Sequence, residues 1–367
     1  MHILAGAISG PGKIQILTKR GRTMKKKFSL LMAVLVLAMA LSACGGNNDS
    51  GSGTPSGTSA PADSGSKAEA VDTNTVAVGA VVIARDDVSE DDVYNFVSTI
   101  FENTDAITEQ HAKGGELDLA FASSVTSVPY HPGAAKYFAE KGIEVAAVKD
   151  GAGSGDSKAL TFTTGGETGT YYAFGGVLAS YVSSNSDVSV TAVVGNGSQS
   201  NVEDLTAGDV QLGFVQSDVM SYAYNGERLF ESPVTNFSVV AALYMEQVQI
   251  ATTDPEIKSV ADLAGKTVSI GVSGSGVYFN AIDVLGAYGL TESDISPVFQ
   301  NFGDSADNLK DGKIDAAFIV AGAPTPAISD LALSQPTYLV GLDEEHTNAL
   351  LESSPFYSAY TIPAGTY

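Results

Sequence analysis

From residue 160 onward, short apolar runs recur between helical stretches: LTFTTG, VSVTAVV and VQLGFVQ, then VSIGV, SPVFQNF and DAAFIVAG. Helical stretches are predicted between them at 171–182, 201–207, 276–288 and 305–310. Apolar runs alternating with helices predict parallel strands flanked by helices, an α/β architecture. A smaller preceding block opens with the near-continuous apolar run VAVGAVVIA. It continues in a helix starting at Ser89, whose Glu90, Asp91 and Asp92 suit the positive end of a helix dipole. The hydrophilic stretch KDGAGSGDSKA (149–159) separates the two blocks and reads as a linker.

Further upstream, MKKKFSLLMAVLVLAMALSACG (24–45) joins a lysine cluster to an apolar run and the sequence Leu41-Ser42-Ala43-Cys44. This is the pattern of a secretory signal, too short for a comfortable bilayer crossing. Cys44 is the chain's single cysteine and stands where a bacterial lipoprotein carries its lipidated thiol. The expected signal peptide is 24–43, and residues 1–23 read as an upstream extension outside the native protein. Residues 44–70 are the lipidated cysteine and a flexible tether of Gly, Ser, Thr, Pro, Asn and Asp.

Removal of the signal takes all seven basic residues before Cys44 and leaves 12 Lys and Arg against 42 acids, a formal charge near −30. Such a surface repels nucleic acid and favours solubility. With no cysteine left for disulfides, apolar burial must hold the body together.

Three loops ahead of predicted helices carry the unusual residues: 164–170 (TGGETGT), 195–198 (GNGS) and 273–276 (SGSG). In open α/β sheets such loops lie at the carboxyl ends of strands, where ligands bind. Backbone N–H groups at helix N-termini, with small hydroxyl residues beside them, suit a carboxylate or phosphate. Each glycine alone is equally explained by a tight turn.

The segments TGGETGTYY (164–172), SQSN (198–201), VQSD (215–218), AALY (241–244), DAAF (315–318) and GAPT (322–325) resemble the TAXI family of extracytoplasmic solute receptors, which serve TRAP-type secondary transporters. The resemblance extends to HPGAA (131–135), PFY (355–357) and TIPAGTY (361–367). One departure is large. In that family the segment like 71–145 follows TIPAGTY, whereas here it precedes the opening strand, so the chain looks circularly permuted, with 149–158 joining the family's termini.

The resemblance implies a two-lobed periplasmic-binding-protein type II fold. Crossing strands are expected near 247–253 and 75–83, with lobe 1 formed by 76–145 and 160–251, and lobe 2 by 252–367 with 71–75. The expected ligand-binding residues are Thr164, Gly166, Glu167, Thr168, Gly169, Thr170, Tyr171, Ser198, Gln216, Ser217, Asp218 and Tyr244 from lobe 1. Lobe 2 is expected to supply Ser273, Ser275, Gly276, Ala323, Pro324 and Thr325.

The mature chain has two arginines, Arg85 and Arg228, neither in a glycine loop, so backbone amides and hydroxyls are expected to hold a ligand carboxylate. Glu167 and Asp218 would then hold an ammonium group; Glu167 reads equally well as a helix cap. By resemblance, glutamate or glutamine leads as ligand, followed by small carboxylates such as 2-oxoglutarate. The expected partners are TRAP membrane subunits and, through the lipid, the cell membrane.

An enzyme is disfavoured because Gly-x-Ser-x-Gly, His-Glu-x-x-His and the phosphate-loop pattern do not occur, and the four histidines are scattered. His131 reads as a structural loop residue, and neither cofactor nor metal is expected. A tethered sensor of the same ligand stays open as an alternative to a transport receptor.

Overall fold

The computed structural model describes residues 71–156 and 159–367. The expected signal peptide, its upstream extension, Cys44 and the tether lie outside the described residues. Among those described, no helix is long and apolar enough to cross a membrane.

Ten strands among the described residues form one sheet: β1 (Thr73–Arg85), β2 (Ala159–Thr163), β3 (Ser189–Val193), β4 (Leu212–Gln216), β5 (Phe237–Thr252), β6 (Thr267–Ser269), β7 (Ser296–Val298), β8 (Ala316–Ala321), β9 (Tyr338–Leu339) and β10 (Ser358–Ile362). The main order is β3-β2-β4-β1-β5-β8-β6-β7, with β10 beside β1 and β9 beside β5. The sheet is mixed. Strands β2, β3 and β4 are mutually parallel, as are β6, β7 and β8, while β1 and β5 run antiparallel to each of their neighbours.

The two long strands belong to both ends of this sheet. Residues 73–77 of β1 pair with β10, and residues 80–84 pair with β4. In β5, residues from Phe237 to Gln247 pair with β1, and residues from Gln247 to Thr252 pair with β8. Their side chains divide the same way. Val76, Val78, Val248 and Ile250 enter one apolar core, while residues 80–84 and 239–244 enter another. Strands buried on both faces require near-continuous apolar sequence, which explains why VAVGAVVIA and FSVVAAL lack alternation.

The segment after Lys149 is less free than its composition predicts. The Lys149 N–H donates to Tyr130 O at 2.8 Å, Gly153 N–H donates to Asp86 O at 2.8 Å, and Glu90 N–H donates to Gly153 O at 3.1 Å. A Cβ at Gly155 would overlap the Asp87 carbonyl oxygen. Glycine lets this strap lie flat on the turn between β1 and the helix Glu90–Phe101. That helix is capped as its sequence predicts, with Ser89 Oγ accepting from Asp92 N–H.

His131 is fully buried and caps the helix Pro132–Glu140, its Nδ1 accepting from Gly133 N–H at 3.2 Å. Its Nε2 lies 3.1 Å from Val88 O, so the ring bridges two elements of one core. Among the described residues, no group of acids, histidines or cysteines is arranged to hold a metal ion.

Candidate functional site

Two sets of three parallel strands, running in opposite directions, deliver their carboxyl ends to one cavity of about 70 Å³. The loop after β2 brings Gly165, Gly166, Thr168 and Gly169, the loop after β3 brings Asn196 to Ser198, and β4 ends on Gln216. From the other core come Val272 and Ser275 to Val277 after β6, Gln300 to Phe302 after β7, and Val320 and Ala321 in β8. At about 10–15 Å³ per water on this measure, the space holds roughly five to seven waters, the size of one small organic solute.

Five helices among the described residues begin at this lining. Their N-caps are Gly169, Gly197, Gln216, Gly276 and Asn301, ahead of helices Thr170–Asn185, Ser198–Ala207, Ser217–Asn225, Val277–Ala287 and Phe302–Lys310. Helix starts leave backbone N–H groups without intrahelical acceptors and carry the positive end of a dipole, so a lining of helix N-termini suits a carboxylate. Gly197 has φ 103°, the left-handed side that glycine tolerates, and a Cβ there would press against Ser275.

Across the cavity the two halves are in direct contact. Thr170 Oγ1 donates to Gly322 O at 2.8 Å, Ser200 N–H to Gly274 O at 2.9 Å, and Ala327 N–H to Thr168 O at 3.2 Å. Behind the cavity, Gln216 Nε2 donates to Asn280 Oδ1 at 2.8 Å, and Asn280 Nδ2 lies 2.9 Å from both Asp218 Oδ2 and Tyr357 Oη. Arg228 closes the edge on Asp283 at 2.5 Å, and Tyr357 Oη donates to the same carboxylate at 3.0 Å. This is a clamped arrangement.

Of the residues expected to bind ligand, Gly166, Thr168, Gly169, Thr170, Tyr171, Ser198, Gln216, Ser275 and Gly276 line the cavity. The other nine stand outside the lining. Thr164 is buried, donating from Oγ1 to Val193 O, and its carbonyl accepts from Asn201. Ser217 accepts from Gly79 N–H, and Tyr244 packs its ring against Phe174 and Phe214. Thr325 accepts from Gln249 Nε2, and Ala323 N–H donates to Gln247 Oε1. Ser273 and Pro324 are exposed.

The two expected ammonium holders are placed elsewhere. Glu167 is exposed, and Gly169, not Glu167, is the N-cap of the following helix, which has no side-chain cap bond. Asp218 is fully buried on the Asn280 network. Burial pushes its carboxyl up to about 6, against the lowering effect of hydrogen bonds from Val219 N–H and Asn280.

In their place the cavity holds Glu246, from the middle of β5. It is 2 % exposed, and Tyr171 Oη donates to its Oε2 at 2.6 Å. Burial pushes the Glu246 carboxyl up to about 8, with Tyr171 and Lys113 pulling it down and Asp218 adding to the rise. The Tyr171 ring is stacked on Phe214, with centroids 4.5 Å apart, which fixes the phenol over the carboxylate. Two further buried polar atoms in the lining, Ser275 Oγ and Gln300 Oε1, have no hydrogen-bond partner among the described residues.

Glu246 was missed at the sequence level, although a signal was present: it is the one charged residue in the sixteen of β5, FSVVAALYMEQVQIAT. An ionisable group in a strand buried on both faces is costly unless it is used.

Among solved structures, the chain is similar to the alkanesulfonate-binding protein SsuA from Xanthomonas axonopodis pv. citri bound to MOPS, at 20 % identity and TM-score 0.36 over 52 % of this chain and 62 % of that one. The match thus spans less than two thirds of that protein's length. An ancestral arginine-binding protein bound to glutamine matches at 16 % identity and TM-score 0.37, over 54 % of this chain and 92 % of its own. The amino acid ABC transporter substrate-binding protein AbpA from Streptococcus pneumoniae, bound to L-arginine, matches at 13 % identity and TM-score 0.35, over 56 % and 80 %. A model of the NMT1-like family, whose members have the two-lobed periplasmic-binding-protein type II fold, matches residues 57–142 and 162–367; the chain belongs to the NMT1-like family.

Proposed function

We propose that this protein is an extracytoplasmic solute receptor that captures a small carboxylate or amino acid, of glutamate or glutamine kind, by hinge closure of two lobes. The observation that carries the reading is the cavity itself, lined from both cores and ringed by five helix N-termini. In this reading lobe 1 is 76–145 with 160–251, lobe 2 is 252–367 with 71–75, and β1 and β5 are the hinge strands. Ligand contacts made from both sides favour the closed state. The receptor binds and releases its solute unchanged, without catalysis.

The transporter class proposed is TRAP, on the resemblance of the 164–172 and 361–367 motifs to TAXI receptors, and the proposed anchor is a lipid on Cys44. The segment order is proposed to be a circular permutation. Support comes from register: Thr73 pairs antiparallel with Ile362, and Ala364 N–H donates to Asp72 Oδ1 at 2.8 Å, so β10 and β1 stand like the two arms of a hairpin.

A thermal-shift screen of amino acids and small carboxylates tests the receptor reading, because a molecule bound only by the folded state raises the unfolding temperature. A hit is expected to compact the body in small-angle scattering. A protein that neither shifts nor compacts with any member of the screen is not this receptor.

A further inference from the structure

We propose that Glu246 is the anchor for a ligand's ammonium group, so that the site selects a zwitterionic amino acid over a dicarboxylate or a sulfonate. The inference rests on the receptor reading above and adds to it the residue that decides the ligand class. It starts from the charge inventory of the cavity. The lining includes five helix N-termini and one carboxylate, Glu246, and no lysine, arginine or histidine.

Lys113 and the two arginines lie outside the lining and are engaged elsewhere. Lys113 is buried with its Nζ 2.5 Å from Glu116 and 5.3 Å from the centre of the Tyr244 ring, outside the lining. Arg85 is bound to Asp87 and Arg228 to Asp283. Backbone amides at five helix starts can satisfy one carboxylate or sulfonate. A second anionic group in so small a space would hold the Glu246 carboxyl in its neutral form and forgo the ion pair that an ammonium makes there, with Asp218 adding to the disfavour. An amino acid supplies one group for each region: its carboxylate for the amides and Ser275 Oγ, its ammonium for Glu246.

The unpartnered atoms fit the same division. An ammonium carries three donors and no acceptor, and Gln300 Oε1 is a buried acceptor in the lining that has no partner among the described residues. Tyr171 holds Glu246 in place through Oε2. The groups facing Glu246 are Tyr171, Tyr244, Lys113 and Asp218, of which Lys113 alone is cationic. Its carboxyl is held up to about 8 by burial, a condition that a bound ammonium would reverse by favouring the charged form.

The test is isothermal titration of the wild-type protein with the twenty proteinogenic amino acids, each paired with its 2-oxo or 2-hydroxy acid, repeated with Glu246→Gln. The glutamine is isosteric and keeps an acceptor for Tyr171. For whichever amino acid binds, the deaminated partner is expected to bind at least about tenfold more weakly, and E246Q to weaken the amino acid by about 10- to 150-fold, the range for a charge-assisted hydrogen bond.

Equal affinity of wild type for both members of a pair overturns the inference while leaving the receptor reading standing, and so does an E246Q protein that keeps its amino acid affinity. Absence of binding by every compound overturns both. The wild-type comparison needs no variant, so a Glu246→Gln protein that fails to fold does not remove the test.

Discussion

Gly276, the N-cap of the helix Val277–Ala287, lies so close to Gln216, the last residue of β4, that a Cβ on it would overlap the Gln216 amide oxygen. That oxygen is the far end of a side chain, but not a free one. Gln216 is 2 % exposed, its Nε2 is tied to Asn280, and its backbone N–H donates to Ser198 Oγ at 3.0 Å. The two helix-flanked halves of the sheet therefore meet at a point where a single methyl group must displace a bonded network.

Gly276→Ala is accordingly expected to disfavour closure while sparing each lobe. If the proposed hinge opening breaks this contact, overpacking of about 1–3 kcal/mol there corresponds to roughly 5- to 150-fold weaker ligand binding. Calorimetry measures the affinity, and small-angle scattering shows whether compaction is lost. Unchanged affinity would mean that Gln216 rotates away freely.

Asn280 ties together a second point between the halves, and its three partners are Gln216 at the end of β4, Asp218 in the helix Ser217–Asn225, and Tyr357 just ahead of β10. Asn280→Ala leaves a buried amide and a buried carboxylate short of a partner, so unfolding in urea is expected to show a loss of about 1–3 kcal/mol. A double-mutant cycle with Asp218→Asn should give a coupling of about 0.5–3 kcal/mol, because the two side chains are directly bonded. Strictly additive losses would show that the bond contributes nothing.

Much of this architecture was legible in the chain because burial writes itself into apolar runs. The strands at 76–84 and 212–216 and the helix capped by Ser89 all carry sequence signatures of packing or capping. The glycine loops were equally visible, since only turns and close approaches need them. What escaped was order across the sheet. SPVFQNF reads as a single strand, yet β7 stops at Val298, because Asn301 Oδ1 accepts from Asp304 N–H and starts a helix that puts Gln300 into the cavity. Glu246 escaped for the opposite reason: its neighbours are so apolar that the strand looked purely structural. Glu167 and Asp218 drew attention through sequence proximity to the glycine loops, but which carboxylate enters the cavity is decided by pairing between strands far apart in the chain.

Stability should respond to pH through three buried groups. Glu246 and Asp218 have folded-state values pushed above their ordinary ones, to about 8 and about 6, so the folded protein holds their protons more tightly than the unfolded chain. Their contribution is complete below about pH 4 and is lost as pH rises through 6 and then 8. His131, lowered to about 4 by burial, acts oppositely: the unfolded chain takes up its proton first, so stability falls as pH drops from about 6.5 to 4. Above pH 6.5 the carboxyl effect stands alone. The unfolding temperature of the ligand-free protein is expected to fall between pH 6.5 and 8.5, and E246Q to be flatter there and about 1–3 kcal/mol more stable at pH 8, given about 1.4 kcal/mol per pKa unit. A variant with the wild-type slope would show that Glu246 is hydrated in solution.

The proposed permutation makes a prediction that separates contacts from connectivity. A reordered chain, with residues 71–148 placed after Tyr367 and residues 149–158 removed, keeps the β1 and β10 register and turns the Thr73 and Ile362 pair into a covalent hairpin. Because Gly153 and Glu90 are hydrogen-bonded through the strap, removing it costs those bonds, while closing the hairpin shortens the loop that the β1 and β10 pairing must close. The two effects oppose each other, so the unfolding temperature is expected to change little and ligand affinity to stay within about twofold, because every lining residue keeps its place. A reordered chain that loses ligand binding while remaining folded would show that the present connectivity shapes the cleft.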